Sequence, residues 1–181
     1  MFILYGLVLG LVLGLVLGGR ADGLAKLQFR WSWVFAAGLA VQLILFSEPV
    51  TERIGALGVP IYVVSTAVVL LAVLANRRIT GMSIVALGAL SNFAAIVANG
   101  GYMPASAEAM AVLGKAAPTV YSNSALVRDP LLEPLTDVFA LPPGLPWANV
   151  FSLGDLLIGA GVVIVIVVAM RRRPAALVGA A

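Results

Sequence analysis

Five apolar runs dominate the chain, at about residues 2–19, 31–47, 60–76, 81–98 and 151–170. Each is near the roughly 20 residues that a helix needs to cross about 30 Å of hydrocarbon. Lipid offers backbone N–H and C=O groups no partner, so such runs must be helices or strands of a closed barrel. Barrel strands alternate apolar and polar residues over about ten positions, and "GVVIVIVVAM" at 161–170 does not. The predicted fold is all-α: one membrane domain over 1–181, a five-helix bundle. A long helical or irregular extracytoplasmic loop, 99–150, joins the fourth and fifth helices. The first two runs are short, which predicts little tilt or a locally thin bilayer. Composition agrees, because only 10% of residues are charged against about 25% in soluble domains.

The basic residues sort by loop. Arg20, Lys26 and Arg30 follow the first run, Arg77 and Arg78 the third, and Arg171, Arg172 and Arg173 the fifth. Only Arg53, Lys115 and Arg128 fall on the other side. Cytoplasmic loops gather Lys and Arg, so the N-terminus is expected outside and the C-terminus inside a bacterial cytoplasmic membrane. The formal charge of +3 then reads as an orientation signal, and no nucleic-acid partner is expected. Run one has no basic stretch before it and no A-x-A-like site, so a retained helix is expected in place of a cleaved leader. Trp31 and Trp33 should mark the inner boundary, and Tyr62, Tyr102, Trp147 and Phe151 the outer one.

Within run one, "GLVLGLVLGLVLG" places Gly6, Gly10, Gly14 and Gly18 four residues apart. Four residues turn a helix by about 400°, so these glycines share one slowly drifting face. In lipid such a face admits a second backbone, and dispersion holds the pair. A helix-packing seam is expected, with a helix of the same chain or with another protomer in a homo-oligomer.

Polar residues inside the runs cluster at one depth, the outer half: Gln42, Ser65, Thr66, Ser91, Asn92, Asn99 and, in the first turn of run five, Asp155. Together with Asp137 of the loop they form the candidate pocket. One reading is a shallow polar pocket that opens outward; the other is hydrogen-bonded glue between helices. Ser152 and Asp155 have the spacing of a capping box, Asn99-Gly100-Gly101 that of a left-handed helix stop. Asp137, amid apolar residues, calls for a counter-charge from Arg128 or Arg53.

The 99–150 loop carries seven of the ten prolines yet is too apolar for disorder. Short helices are expected near 105–114, capped by Ser106, and near 130–140, capped by Asp129 with Pro130 at the first helical position. Met110, Leu113, Leu131, Leu132, Leu135, Phe139 and Leu141 would form an apolar lid. "RRRP" at 171–174 should anchor to anionic lipid.

The order "SNFAAIVANGGYMP", "LTDVFALP", "VFSLGDLLIGAGV" resembles a family of small multi-pass bacterial membrane proteins that is catalogued only as a domain of unknown function. The likeness is strongest over 86–166. It implies an all-helical membrane protein and brings no activity or site residue with it. With neither Cys nor His in the chain, disulfides, thiolates and imidazole ligands are excluded, and no cofactor or metal site is expected. The leading expectation is a non-catalytic membrane component: an accessory subunit, or a binder of a lipid or apolar small molecule in an outer-leaflet pocket under the loop. Its partners would be the bilayer, such a ligand, or another membrane protein. The alternatives are a small transporter acting as an oligomer, and a membrane enzyme that uses Asp137 and Asp155.

Overall fold

The computed structural model describes residues 2–114, 124, 125, 127 and 129–172. The chain is mostly helical. In order come α1 (Ile3–Val16), a 3-10 turn at Ala21–Lys26, α2 (Ser32–Leu45), α3 (Glu48–Thr51), a 3-10 turn at Gly55–Leu57, α4 (Gly58–Ala75), α5 (Met82–Ala98), α6 (Ala107–Val112) and α7 (Leu153–Arg171). Four two-residue strands belong to the long connection. β1 (Met103–Pro104) pairs in parallel with β2 (Ser124–Ala125), and β3 (Phe139–Ala140) pairs antiparallel with β4 (Val150–Phe151).

Two helical stretches, Gly55–Ala75 and Leu153–Arg171, are long and apolar enough to cross a membrane; α1, α2 and α5 are apolar but shorter. α1 and α2 have 14 residues each, about 21 Å at 1.5 Å per residue. Run one stops early because Gly18 takes φ +76° and the Gly19 N–H donates back to the Gly14 carbonyl at 2.8 Å. This left-handed stop uses a residue without Cβ. Gly18 is therefore a cap and not a fourth seam residue.

The other three glycines are the buried residues of α1, and their partner is α7 of the same chain. A Cβ at Gly6 would lie 3.0 Å from Gly159 Cα, and one at Gly10 would lie 3.2 Å from Val163 Cα. Both residue numbers rise together, so α1 and α7 run parallel. α7 also packs against α5, and α4 bridges α5 and α2. The helices thus stand in the order α1, α7, α5, α4, α2, with α7 inserted between the first helix and the rest. On α1 the outward residues are apolar: Leu15 is 59% exposed and Val16 75%. Glycine thus faces inward on α1 and leucine and valine face outward.

Neighbouring long helices other than α1 and α7 run antiparallel, which sorts the connections to two ends. Of the eight described basic residues, seven (Arg20, Lys26, Arg30, Arg77, Arg78, Arg171, Arg172) lie at one end and Arg53 at the other. The Arg20 N–H donates to the Met170 carbonyl there, at 2.8 Å. The opposite end carries α3 and the long connection. An apolar cluster of Leu45, Tyr62, Ala95, Ile96 and Met103 fills the helix ends beneath that connection.

α6 forms where a short helix is expected, and the Ser106 hydroxyl accepts the Ala109 N–H at 3.0 Å. The helix expected near 130–140 does not form. Asp129 and Leu132 are left-handed (φ +53° and +55°), and only a 3-10 turn at Glu133–Leu135 remains. Residue 137 is instead drawn into backbone pairing. The Asp137 N–H donates to the Pro104 carbonyl at 2.9 Å, and the Ser106 N–H to the Asp137 carbonyl at 3.1 Å.

Candidate functional site

The polar residues that share one depth are split between two helix pairs. On the α5–α7 contact, Asn92 lies against the start of α7. Its Nδ2 donates to Asp155 Oδ1 at 2.8 Å, and its Oδ1 accepts from the Ser152 hydroxyl at 2.8 Å. The capping box closes the ring: Ser152 Oγ accepts the Asp155 N–H at 3.0 Å, and Asp155 Oδ2 accepts the Ser152 N–H at 3.2 Å. Both carboxylate oxygens of Asp155 are thus engaged. Gly88 and Gly154 make this approach possible, since a Cβ at Gly154 would meet the Gly88 carbonyl oxygen at 2.7 Å as well as Asn92.

On the α2–α4 contact, Gln42 donates to the Thr66 hydroxyl at 3.4 Å, while Thr66 and Ser65 each donate to the Tyr62 carbonyl, at 2.8 and 2.9 Å. The buried Ser91 Oγ has no hydrogen-bond partner among the described residues. Asn99 faces the long connection. It accepts the Leu131 N–H at 2.9 Å, donates to the Leu131 carbonyl at 2.8 Å and donates to the Ala95 carbonyl at 2.8 Å. Asp137 is buried and has an interaction beyond its backbone pairing. Of its two expected counter-charges, Arg128 lies outside the described residues, and Arg53 donates to the Pro49 carbonyl at 2.9 Å.

A residue that the sequence reading passed over does the same work as Asn99 at the basic end. Asn76 caps α4 and is 4% exposed. It accepts the Arg30 N–H at 2.8 Å and donates to the carbonyls of Arg30, at 2.9 Å, and Ala72, at 2.8 Å. Its signal was present: an amide directly after an apolar run, with two arginines behind it. A second seam was also passed over. Gly81 and Gly88, and likewise Gly154 and Gly161, are seven residues apart, two turns on one helix face, and the two pairs oppose each other.

Among the described residues, three of the cavities lie near these elements. One of about 550 Å³ runs between α2 and α4, lined by Trp33, Val34, Ala37, Gly38, Val41, Leu57, Pro60, Ile61, Val64, Ser65 and Val68. One of about 460 Å³ in the long connection is edged by Glu108 and Glu133. The third, of about 480 Å³ at the basic end, is lined by Arg30, Trp31, Leu71, Leu74, Ala75, Arg77 and Arg78. The expected lid residues divide. Met110 is buried, and Leu135 packs on the cluster beneath the connection. Leu131 and Phe139 face outward, 63% and 43% exposed.

The model of the Family of unknown function DUF5317 matches residues 26–167. The chain belongs to this family. The DUF5317 match takes in α2 to α6 and most of α7, hence both asparagine clamps, the Asn92–Ser152–Asp155 ring and all three cavities. The glycine helix α1 lies before it. No curated protein and no solved structure matches the chain.

The ring makes a testable demand. Asn92→Leu removes both side-chain bonds between α5 and α7 and leaves the Ser152 hydroxyl and one Asp155 oxygen without their partner. Stranding such groups costs about 1–3 kcal/mol each, so a loss of about 2–4 kcal/mol is expected in detergent-based unfolding. Asp155→Asn should then cost less in the Asn92→Leu background than alone; equal costs would show that the ring is not a unit.

Proposed function

We propose that this DUF5317 protein is a non-catalytic integral membrane protein with five crossings, N-terminus outside and C-terminus inside. It would serve as an accessory subunit or hold a lipid chain or apolar small molecule in the α2–α4 groove. The observation that carries the ligand reading is the lining of that groove. Ser65 is its one hydroxyl, and the rest is aliphatic apart from Trp33. A mostly apolar concavity of some 300–1,000 Å³ is the usual form of a small-molecule site. It opens sideways between two helices, and its Leu57–Val64 wall lies toward the loop end. This differs from a pocket under the loop, because Met103 and its neighbours already fill the space there.

The membrane reading is supported by the exposed leucine and valine faces around buried glycine, and by the gathering of seven basic residues at one end. The helix polar groups other than Ser91 bond to one another or to helix carbonyls, which is what an apolar surrounding demands. Both Asp155 oxygens are engaged, by Asn92 and by the Ser152 N–H, in a capping role.

The test is extraction from native membranes in mild detergent, followed by mass spectrometry of what stays bound. A stoichiometric lipid or apolar molecule is expected, and Ala37→Phe, which fills the groove from an exposed position, should reduce its retention at least tenfold. Retention of nothing apolar, or of the same molecule at the same level in Ala37→Phe, overturns the groove as the ligand site.

A further inference from the structure

We propose that the basic-end cavity holds the phosphate of an anionic phospholipid, with guanidinium groups of Arg30, Arg77 and Arg78 around it and Leu71 and Leu74 along its acyl chain. This inference rests on the membrane reading above but concerns a different site, at the opposite end from the loop.

Three observations carry it. First, the arginines are brought together by a built device. Asn76, 4% exposed, grips both backbone groups of Arg30 at 2.8 and 2.9 Å. That fastens the connection before α2 to the turn that bears Arg77 and Arg78, 46 residues away. Second, the charges are unanswered. The ion pair among the described residues is Arg20–Asp22 at 3.3 Å, and no described carboxylate lies within reach of Arg30, Arg77 or Arg78. Arg30, Arg77 and Arg78 all line one cavity of about 480 Å³, and an anion there would answer their like charges. Third, the site is two-faced. Below the arginines the wall is Leu71 and Leu74, 58% and 38% exposed, which suits a chain and not a soluble anion alone. The carbonyl end of α4 opposes an anion here, but the N-terminus of α2 begins beside it at Ser32 and offsets that field.

Trp31 completes the site. It sits in the left-handed region at φ +58°, a conformation that disfavours a bulky side chain. Its ring carries the Arg30 guanidinium 5.5 Å from the centroid and lines the cavity. An indole at this depth reports the headgroup level directly.

The experiment uses the full chain with Trp33→Phe and Trp147→Phe, which leaves Trp31 as the one indole, reconstituted into nanodiscs. Bromine-labelled phosphatidylglycerol or bromine-labelled phosphatidylcholine is titrated into an unlabelled phosphatidylcholine host. Trp31 should be quenched at lower mole fractions of the anionic lipid. That preference should fall about fivefold with Arg77→Gln and about fivefold again with Arg78→Gln added, the effect of one basic residue near an anionic surface. Both side chains are exposed, so folding is not at issue. Arg171→Gln with Arg172→Gln should leave the preference in place. Equal quenching by both lipids, or a preference that survives the Arg77 and Arg78 changes, overturns the headgroup site and spares the membrane reading. No quenching by either lipid overturns both. Inorganic phosphate that relieves quenching beyond a sodium chloride control of equal ionic strength assigns the site to a soluble phosphate and overturns the lipid.

Discussion

Gly88→Leu should separate α5 from α7 and remove about 4 kcal/mol or more of stability. Overpacking of a core costs about 1–3 kcal/mol when neighbours can shift. Here they cannot. A Cβ at Gly88 would strike the Gly154 carbonyl oxygen and lie 2.9 Å from the Ile158 nitrogen, both of them backbone. The helices must move apart, and that pulls Asn92 off Asp155 and Ser152 one turn further along. Because α7 also carries α1, the damage spreads to the Gly6–Gly159 approach. Gly88→Ala should fall between wild type and leucine, since the first carbon already collides. Gly144 is the control, with nothing within 4 Å of its added Cβ, and Gly144→Ala should melt like wild type. The measurement is loss of helicity during titration of mixed micelles with a denaturing detergent. If Gly88→Leu stays within about 1 kcal/mol of wild type, the backbone contact does not hold α5 to α7.

That contact also marks where sequence reasoning stops. The capping box of Ser152 and Asp155 could be read from their spacing, because its parts are three residues apart and share one helix start. Asn92 could be placed at the right depth, but not against that box, because depth along a helix says nothing about which neighbour the side chain faces. Gln42 and Thr66 have the same depth and belong to another helix pair. The idea of one shared pocket came from treating equal depth as common location. The glycine seam of α1 was legible from its period for three residues. The fourth glycine fits the period equally well, and only its positive φ distinguishes a cap from a contact. The helix expected at 130–140 failed for a related reason. Pro130 and Asp129 are good starting residues, yet the pairing of residue 137 with 104–106 offers the backbone partners that a local helix would supply.

The charge distribution was the most legible feature. Arginine positions depend on connections, and where successive long helices alternate in direction along the chain, connection order alone fixes the end. The basic cavity was out of reach for the opposite reason: it joins Arg30 to Arg77 across 46 residues through one buried amide, and nothing local in either loop names the other.

The two asparagine clamps permit a sharper comparison, since geometry is held constant and burial varies. Each amide caps a helix, takes both backbone groups of one distant residue and reaches back to a carbonyl four residues earlier. Asn76 is buried, whereas the bonds from Asn99 to Leu131 are exposed. The Asn76 bonds are buried or part-buried, so water replaces the second set more readily than the first. Asn76→Leu therefore strands the Arg30 N–H, the Arg30 carbonyl and the Ala72 carbonyl, at about 1–3 kcal/mol each before relaxation, and a net loss of about 3–5 kcal/mol is expected. Asn99→Leu should cost only about 1–2 kcal/mol, the net worth of exposed hydrogen bonds. The readouts should also differ. Asn76→Leu should lower the unfolding midpoint of the whole chain, because Leu27, Phe29 and Phe35 pack with Val73, Met82 and Val85 in the basic-end core. Asn99→Leu should leave that midpoint nearly fixed and instead speed proteolysis of the connection near Leu131, a local opening. Equal destabilisation by the two leucines would mean that burial does not set the strength of these clamps. An Asn76→Leu protein that melts like wild type would mean that the Arg30 connection is not held by its amide at all.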